Sequence, residues 1–172
     1  KNLSNFAING TDCNVNPDVA RIVRETVAAK KPLAAVCIAP ALIAKVLGES
    51  NSPALTIGTD EGTASALNAM GARHVSCPVR EFVVDEENKI VTSPAYMLAG
   101  NISEAAEGIE KTVKTLIVDG TDGPVALILR GDHELNAVKA QKLPGVASPL
   151  VMADDKTIRE ATGSASGVLQ EV

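Results

Sequence analysis

Hydrophobic positions change their period several times along the chain, and each change marks a boundary between elements. After Asn16-Pro17, Val19, Ile22, Val23 and Val27 recur at three- or four-residue spacing, while Arg21, Arg24, Glu25 and Lys30 take the other side. That is the stripe of an amphipathic helix, with Asn16 as its cap and Pro17 in its first turn. Beyond Lys31-Pro32, residues 33–38 form an unbroken apolar run, as in a strand buried on both faces of a parallel sheet. Pro40 predicts a helix through Ala41, Leu42, Ile43, Val46 and Leu47, stopped by Gly48. Residues 54–57 read as a strand, Thr59 or Asp60 as the cap of a helix to Met70, and Gly71 as its stop. His74, Val75 and Cys77 open an extended piece, and 82–84 and 90–92 flank the polar turn 85–89 as a hairpin. Asn101 predicts a long helix with Ile102, Ala105, Ala106, Ile109, Val113, Leu116 and Ile117 on one side. The cluster Asp119-Gly120-Thr121-Asp122-Gly123-Pro124 is the strongest turn signal and the natural joint. Past it, 125–129 is a strand, Asp132 caps a helix carrying Leu135, Val138 and Leu143, 150–152 is a strand, and Asp154 caps a last helix with Ile158. The stretch before Asn16 is expected to be irregular, and the Gly/Ser-rich tail 162–167 loose.

Strands alternating with helices imply βαβ units and an α/β fold with a mostly parallel sheet. The 172 residues, 45% of them hydrophobic, are enough for one packed domain over 1–172. Sixteen Lys and Arg against 21 Asp and Glu give a net charge of −5, which disfavours nucleic acid as a partner. Aromatics at 2% leave little to stack on bases. Three cysteines, an odd number, point to a reducing compartment rather than a disulfide framework. No apolar run is long enough for a membrane span and no signal-peptide layout opens the chain, so the expected setting is cytoplasmic, without a membrane partner. No Cys/His spacing suits a metal and no Gly-rich loop suits a phosphate, so neither metal nor cofactor is expected.

Cys37 is the sharpest candidate for chemistry. It closes a buried strand and is followed at once by a helix start, a position where amide N–H groups and the helix dipole suit a reactive thiol. The competing reading is a small apolar residue on a core strand. Cys13, in a polar loop, is expected to be exposed, and Cys77, before Pro78, packed. Lys139 on the 132–143 helix reads as a solvated helix lysine, His133 as a surface residue, and Asp85-Glu86-Glu87 as a solvated turn.

The motifs themselves resemble two families. Lys1-Asn2-Leu3-Ser4-Asn5-Phe6-Ala7, Val36-Cys37-Ile38-Ala39-Pro40, Leu55-Thr56-Ile57-Gly58-Thr59-Asp60, Cys77-Pro78-Val79, the run from Val83 to Thr92, and Pro94-Ala95-Tyr96-Met97-Leu98-Ala99 make residues 1–118 similar to ElbB-type glyoxalase-like proteins of the class I glutamine-amidotransferase-like superfamily. The resemblance implies a flavodoxin-like three-layer sandwich and a nucleophile at Cys37, with the chain starting downstream of the family's first strands and of the acid that assists the thiol. Ile109 to Leu116, Leu129-Arg130-Gly131-Asp132-His133-Glu134-Leu135-Asn136, Val138-Lys139-Ala140, Lys142-Leu143-Pro144 and Ala147-Ser148-Pro149-Leu150 make residues 109–172 resemble the editing domain inserted in bacterial prolyl-tRNA synthetases. That resemblance implies a role for Lys139 near a tRNA 3′ end; Gly167-Val168-Leu169 is only loosely similar to the family's Gly-Ser-Leu-Gly run.

Two partial matches lead to one expectation. A truncated flavodoxin-like segment, 1–118, would be completed by a grafted βαβα segment, 119–172, because half a sheet leaves edges unpaired. The chain is then an engineered or recombined chimera without evolved activity. The alternatives are a cysteine-dependent glyoxalase-like or deglycase enzyme acting on small 2-oxoaldehydes through Cys37, and an aminoacyl-tRNA deacylase fragment. A sheet edge or helix face left open by the graft would offer a homodimer contact.

Overall fold

The structure, a computed structural model, describes residues 3–163. Lys1-Asn2, the tail beyond Gly163 and the Gly167-Val168-Leu169 run lie outside the described residues. The chain divides into two compact units, one up to Thr112 and one from Val113 on. The division falls before the 119–124 turn cluster because the predicted long helix stops early.

The first unit opens with α1 (Phe6–Asn9) and a 3-10 turn (Gly10–Asp12), where an irregular stretch was expected, followed by α2 (Pro17–Ala28). Asn16 caps α2, its side chain accepting from the Asp18 and Val19 amides. Strand β1 (Leu33–Val36) runs to α3 (Pro40–Asn51), and β2 (Ala54–Leu55) is joined by α4 (Glu61–Ala69) to β3 (Arg73–His74). Gly48 does not end α3 as expected; the helix continues to Asn51, with Ser52 left-handed after it. Gly48 serves a packing purpose instead. A Cβ there would lie 1.8 Å from the Met70 carbonyl oxygen, and one on Gly71 would lie 2.7 Å from the Gly48 carbonyl carbon. The two helix ends therefore meet backbone to backbone, which only glycine permits.

The predicted hairpin forms as β4 (Val83–Asp85) and β5 (Ile90–Ser93), antiparallel in register Val83↔Thr92 to Asp85↔Ile90. Strand β5 also pairs β1 in parallel, giving the sheet order β1-β5-β4. β2 and β3 form a second, parallel pair across α4, a βαβ unit. The class is thus mixed α/β with parallel strands. The core gathers α2, α3 and α4 side chains, among them Val23, Val27, Ile43, Leu47 and Leu67, against Ala35, Leu55, Ile57 and Ile90. At the turn of the hairpin, Asp85 is buried, not solvated as expected. Its Oδ2 accepts from the Ala54 amide at 2.7 Å and Asn88 Nδ2 at 2.9 Å, and its Oδ1 from the Asn88 amide at 2.9 Å. Asn88 Oδ1 in turn accepts from Asn51 Nδ2. Burial raises the Asp85 pKa, but the Asn88 and Ala54 hydrogen bonds and the nearby Arg73 charge outweigh it and hold the carboxyl below its ordinary range. After a 3-10 turn (Ala95–Met97) comes α5 (Ile102–Thr112).

The second unit begins with β6 (Lys114–Val118), where the helical periodicity predicts a helix running on through Val113, Leu116 and Ile117. The run Thr115-Leu116-Ile117-Val118 is rich in β-branched residues and pairs antiparallel with β7 (Val125–Leu129), from Lys114↔Leu129 to Val118↔Val125. These strands form a sheet of their own, so the expected parallel βαβα is replaced by a hairpin. The predicted strand 150–152 is reduced to one antiparallel bridge, Val118↔Met152. The predicted 132–143 helix shrinks to α6 (Ala137–Ala140), capped by Asn136. Asp132 does not cap it, being paired to Arg130 at 2.6 Å. Helix α7 (Asp155–Thr162) starts where expected, Asp154 accepting from the Thr157 amide, and packs Ile158 against Ile117 and Ala153.

Candidate functional site

Parallel pairing of β1 with β5, from Leu33↔Ile90 to Val36↔Ser93, brings their carboxyl ends together. In open α/β sheets that is the end at which ligands bind. The Cys37 amide donates to the Ser93 carbonyl at 3.0 Å, the last rung of the ladder. There the chain leaves the strand abruptly, with Cys37 at φ 62°. A left-handed backbone costs a non-glycine residue about 1–2 kcal/mol, and such strain concentrates at functional sites. Ile38 and Ala39 complete a turn, and α3 begins at Pro40 without a side-chain cap. Strand, sharp turn and helix thus form an elbow with the thiol at its tip. The Ile38 amide, next after the thiol, has no backbone acceptor among the described residues.

Neighbouring loops carry related features. Ser93 and Pro94 are fully buried, and Ala95 has φ 45°. Past β2, Gly58 has φ 108°, and a Cβ on it would lie 2.7 Å from Leu98 Cδ1 and 3.3 Å from Pro94 Cβ. Two strained residues, Cys37 and Ala95, therefore follow adjacent parallel strands, and the Gly58 loop touches the chain leaving the second of them. His74, on β3, accepts the Ile57 amide at Nε2 at 3.4 Å, and burial pushes its pKa down.

The three thiols differ in access. Cys37 is half-buried, whereas Cys13 is 1% and Cys77 3% exposed. Cys13 is not the exposed residue expected, because the Gly10–Asp12 turn folds it into the core beside Val23 and Ala35. Burial, helped by the charge of Glu81, pushes the Cys77 thiol up to about 11. In the second unit Lys139 is exposed on α6, and its amide donates to Asn136 Oδ1. His133 is exposed, with Nε2 4.0 Å from Asp132 Oδ1. The Arg130 hydrogen bonds hold the Asp132 carboxyl below its usual range. Lys139 and His133 belong to the second unit and Cys37 to the first. No group of three or more His, Cys, Asp or Glu among those residues is placed to hold a metal ion, and no helix among them is long and apolar enough to cross a membrane.

The sequence reading missed Ser93 and Gly108, and it named Ala95 only within a motif, not as a strained position. Gly108 sits inside α5, and a glycine in a helix interior is itself a signal of close packing. Nothing in the sequence pattern marks Ser93.

Comparison with known proteins gives the chain a two-part composition. Residues 99–170 match the family model of the aminoacyl-tRNA editing domain. The mitochondrial ES1 protein homolog of Rattus norvegicus is 40% identical over 126 residues, covering 68% of this chain and 46% of that protein. The mitochondrial glutamine amidotransferase-like class 1 domain-containing protein 3 of Homo sapiens shows the same identity and coverage, 40% over 126 residues. The chain thus spans about half the length of the curated relatives it matches. A crystal structure of an isoprenoid biosynthesis protein with an amidotransferase-like domain from Ehrlichia chaffeensis superposes with TM-score 0.55 at 33% identity, covering 63% of this chain and 49% of that one. Similarity to natural proteins of rat, human and a bacterium overturns the expectation of an engineered, recombined or de novo chimera without evolved activity. Both mammalian relatives are named as mitochondrial, which does not match the cytoplasmic expectation.

Proposed function

We propose that a chain composed of an amidotransferase-like part and an editing-like part carries a cysteine-dependent activity on small 2-oxoaldehydes, with Cys37 as nucleophile. The observation that carries this reading is the strained elbow: φ 62° at Cys37, between β1 and α3, on the most accessible of the three thiols. In the first step the sulfur adds to the aldehyde carbon, a C–S bond forms, and the thiol proton passes to the former carbonyl oxygen. The product is a hemithioacetal. A shift of hydrogen from that carbon to the neighbouring ketone carbon, assisted by a base, oxidises the first and reduces the second with no external reductant. Water then releases a 2-hydroxy acid and restores the thiol. The Ile38 amide is suited to bind the oxygen that develops charge. An accessible free thiol fits the reducing interior expected for the chain, which the relatives' names would place in mitochondria rather than the cytoplasm. The test is methylglyoxal consumption, with the adduct on Cys37 read by mass spectrometry. Cys37→Ala should abolish both; consumption that survives the substitution refutes the reading.

A second reading rests on the match of residues 99–170 to the editing domain. In it the second unit hydrolyses a mischarged alanyl-tRNA, and exposed Lys139 holds its 3′ end. The net charge of −5 weighs against it, since phosphate contacts supply much of tRNA affinity. Hydrolysis of alanyl-tRNA(Pro) that falls in Lys139→Ala would support it; no hydrolysis would refute it.

A further inference from the structure

We infer that Ser93 is a positioning residue for Cys37, and that α5 presses it into place through Gly108. The inference rests on the elbow reading of Cys37 given above. Ser93 is fully buried at the end of β5 and makes two contacts in different directions. Its carbonyl accepts the Cys37 amide at 3.0 Å, so the strained residue hangs from Ser93 by the final rung of the β1–β5 ladder. Its hydroxyl donates to the Glu81 carbonyl at 3.1 Å, tying that rung to the segment Pro78–Glu81.

That segment is clasped by α5. Arg80 pairs with Glu104 at 3.5 Å and Glu107 at 3.2 Å, and Lys111 pairs with Glu81 at 2.9 Å. Between these ion pairs the helix comes so close that a Cβ on Gly108 would lie 2.5 Å from the Val79 carbonyl oxygen and 3.0 Å from Ser93 Oγ. A glycine inside a helix is unfavourable relative to alanine, and here it permits the approach. Beyond Ser93 the chain cannot extend the ladder, because Pro94 has no N–H and Ala95 turns to φ 45°. Ser93 is therefore the last backbone position at which β5 can hold Cys37. A left-handed cysteine persists only where its surroundings over-determine it, and the Ser93 bridge to the clasped segment supplies that constraint.

The test is native-state hydrogen exchange of the full chain by NMR, which reports on the elbow whether or not the protein turns over substrate. In Ser93→Ala the Cys37 amide should lose protection at least tenfold relative to core amides such as Leu67 and Ile43. Gly108→Ala, which forces the Val79 carbonyl away, should do the same. A purely structural role would lower all globally exchanging amides together, so parallel losses, or an unchanged Cys37 amide in either folded variant, overturn the inference. Ser93→Ala should also slow adduct formation at Cys37 by several-fold with methylglyoxal as the probe. If the wild type forms no adduct, the proposed activity fails, while the exchange result still decides the role of Ser93.

Discussion

Asp85 offers the most quantitative test of the fold. It accepts three hydrogen bonds, from the Ala54 amide, the Asn88 amide and the Asn88 side chain, at 2.7–2.9 Å, and is 4% exposed. Asp85→Asn keeps the shape but offers one acceptor oxygen in place of two, and its NH2 group must face at least one of those donors. One buried donor left without an acceptor costs about 1–3 kcal/mol, so Asp85→Asn should destabilise by about 2 kcal/mol and Asp85→Ala, which strands all three, by about 4 kcal/mol. The charge makes the effect depend on pH. A carboxylate whose folded pKa lies below its unfolded value contributes stability that is fully present above the unfolded value, 3.8, and is lost as pH falls through the folded one. Urea unfolding of wild type and Asp85→Asn at pH 7 and pH 3, compared at equal m-value, reads the difference. A gap under about 0.5 kcal/mol at pH 7 would fall within ordinary surface-substitution noise and refute the network argument. A gap that does not narrow at pH 3 would refute its ionic part.

Three further outcomes are expected. Gly48→Ala, whose new Cβ would sit 1.8 Å from the Met70 carbonyl, should cost about 2 kcal/mol or more as overpacking; a rise in the thermal midpoint would contradict the backbone contact. Iodoacetamide under native conditions should label Cys37 well before Cys13 or Cys77, which are 1% and 3% exposed; equal labelling by mass spectrometry would show that the core is not closed around them. His74, whose burial depresses its pKa from 6.5, binds its proton more readily in the unfolded chain, so stability should fall as pH drops below about 6.5. Replacing it with glutamine should flatten that part of the profile, and an unchanged slope would exclude His74 as its source.

Local signals were legible where one element sufficed to make them. The caps Asn16 and Asp154, a cap at Thr59 or Asp60, and a hairpin around the turn 85–89 follow from short-range chemistry, and all appear, with Asp60 the one that caps. The strand-to-helix step at Cys37 was equally readable, since it needs only an apolar run and Pro40. What failed depended on how neighbouring segments pack and pair, which the order of residues alone does not display. The apolar residues of 113–118 fit a helix period as well as a strand, and pairing with β7 decides for the strand. Asp85 looked like any turn carboxylate until Ala54 and Asn88 closed around it. Cys13 looked exposed because its neighbours are polar, yet the turn before it folds inward. Ser93 is invisible to pattern reading, its importance coming from register with Cys37 and from a helix glycine fifteen residues later.

The contact between Gly48 and Gly71 bears on the order in which the chain folds. It lies within α3, β2, α4 and β3, where the Gly48–Gly71 contact and the Ala54↔Arg73 pairing close shorter loops than the Leu33↔Ile90 pairing of β1 with β5. Closing the shorter loop costs less entropy, so this stretch is suited to form early and the β1–β5 ladder, which spans more than fifty residues, to form later. Folding kinetics should show it. Truncations at Leu67 or Ala44 should mainly slow folding, whereas Asp85→Asn should mainly speed unfolding. On this order the elbow is among the last features to form, and its strained residue is held only once the glycine-to-glycine contact is already in place.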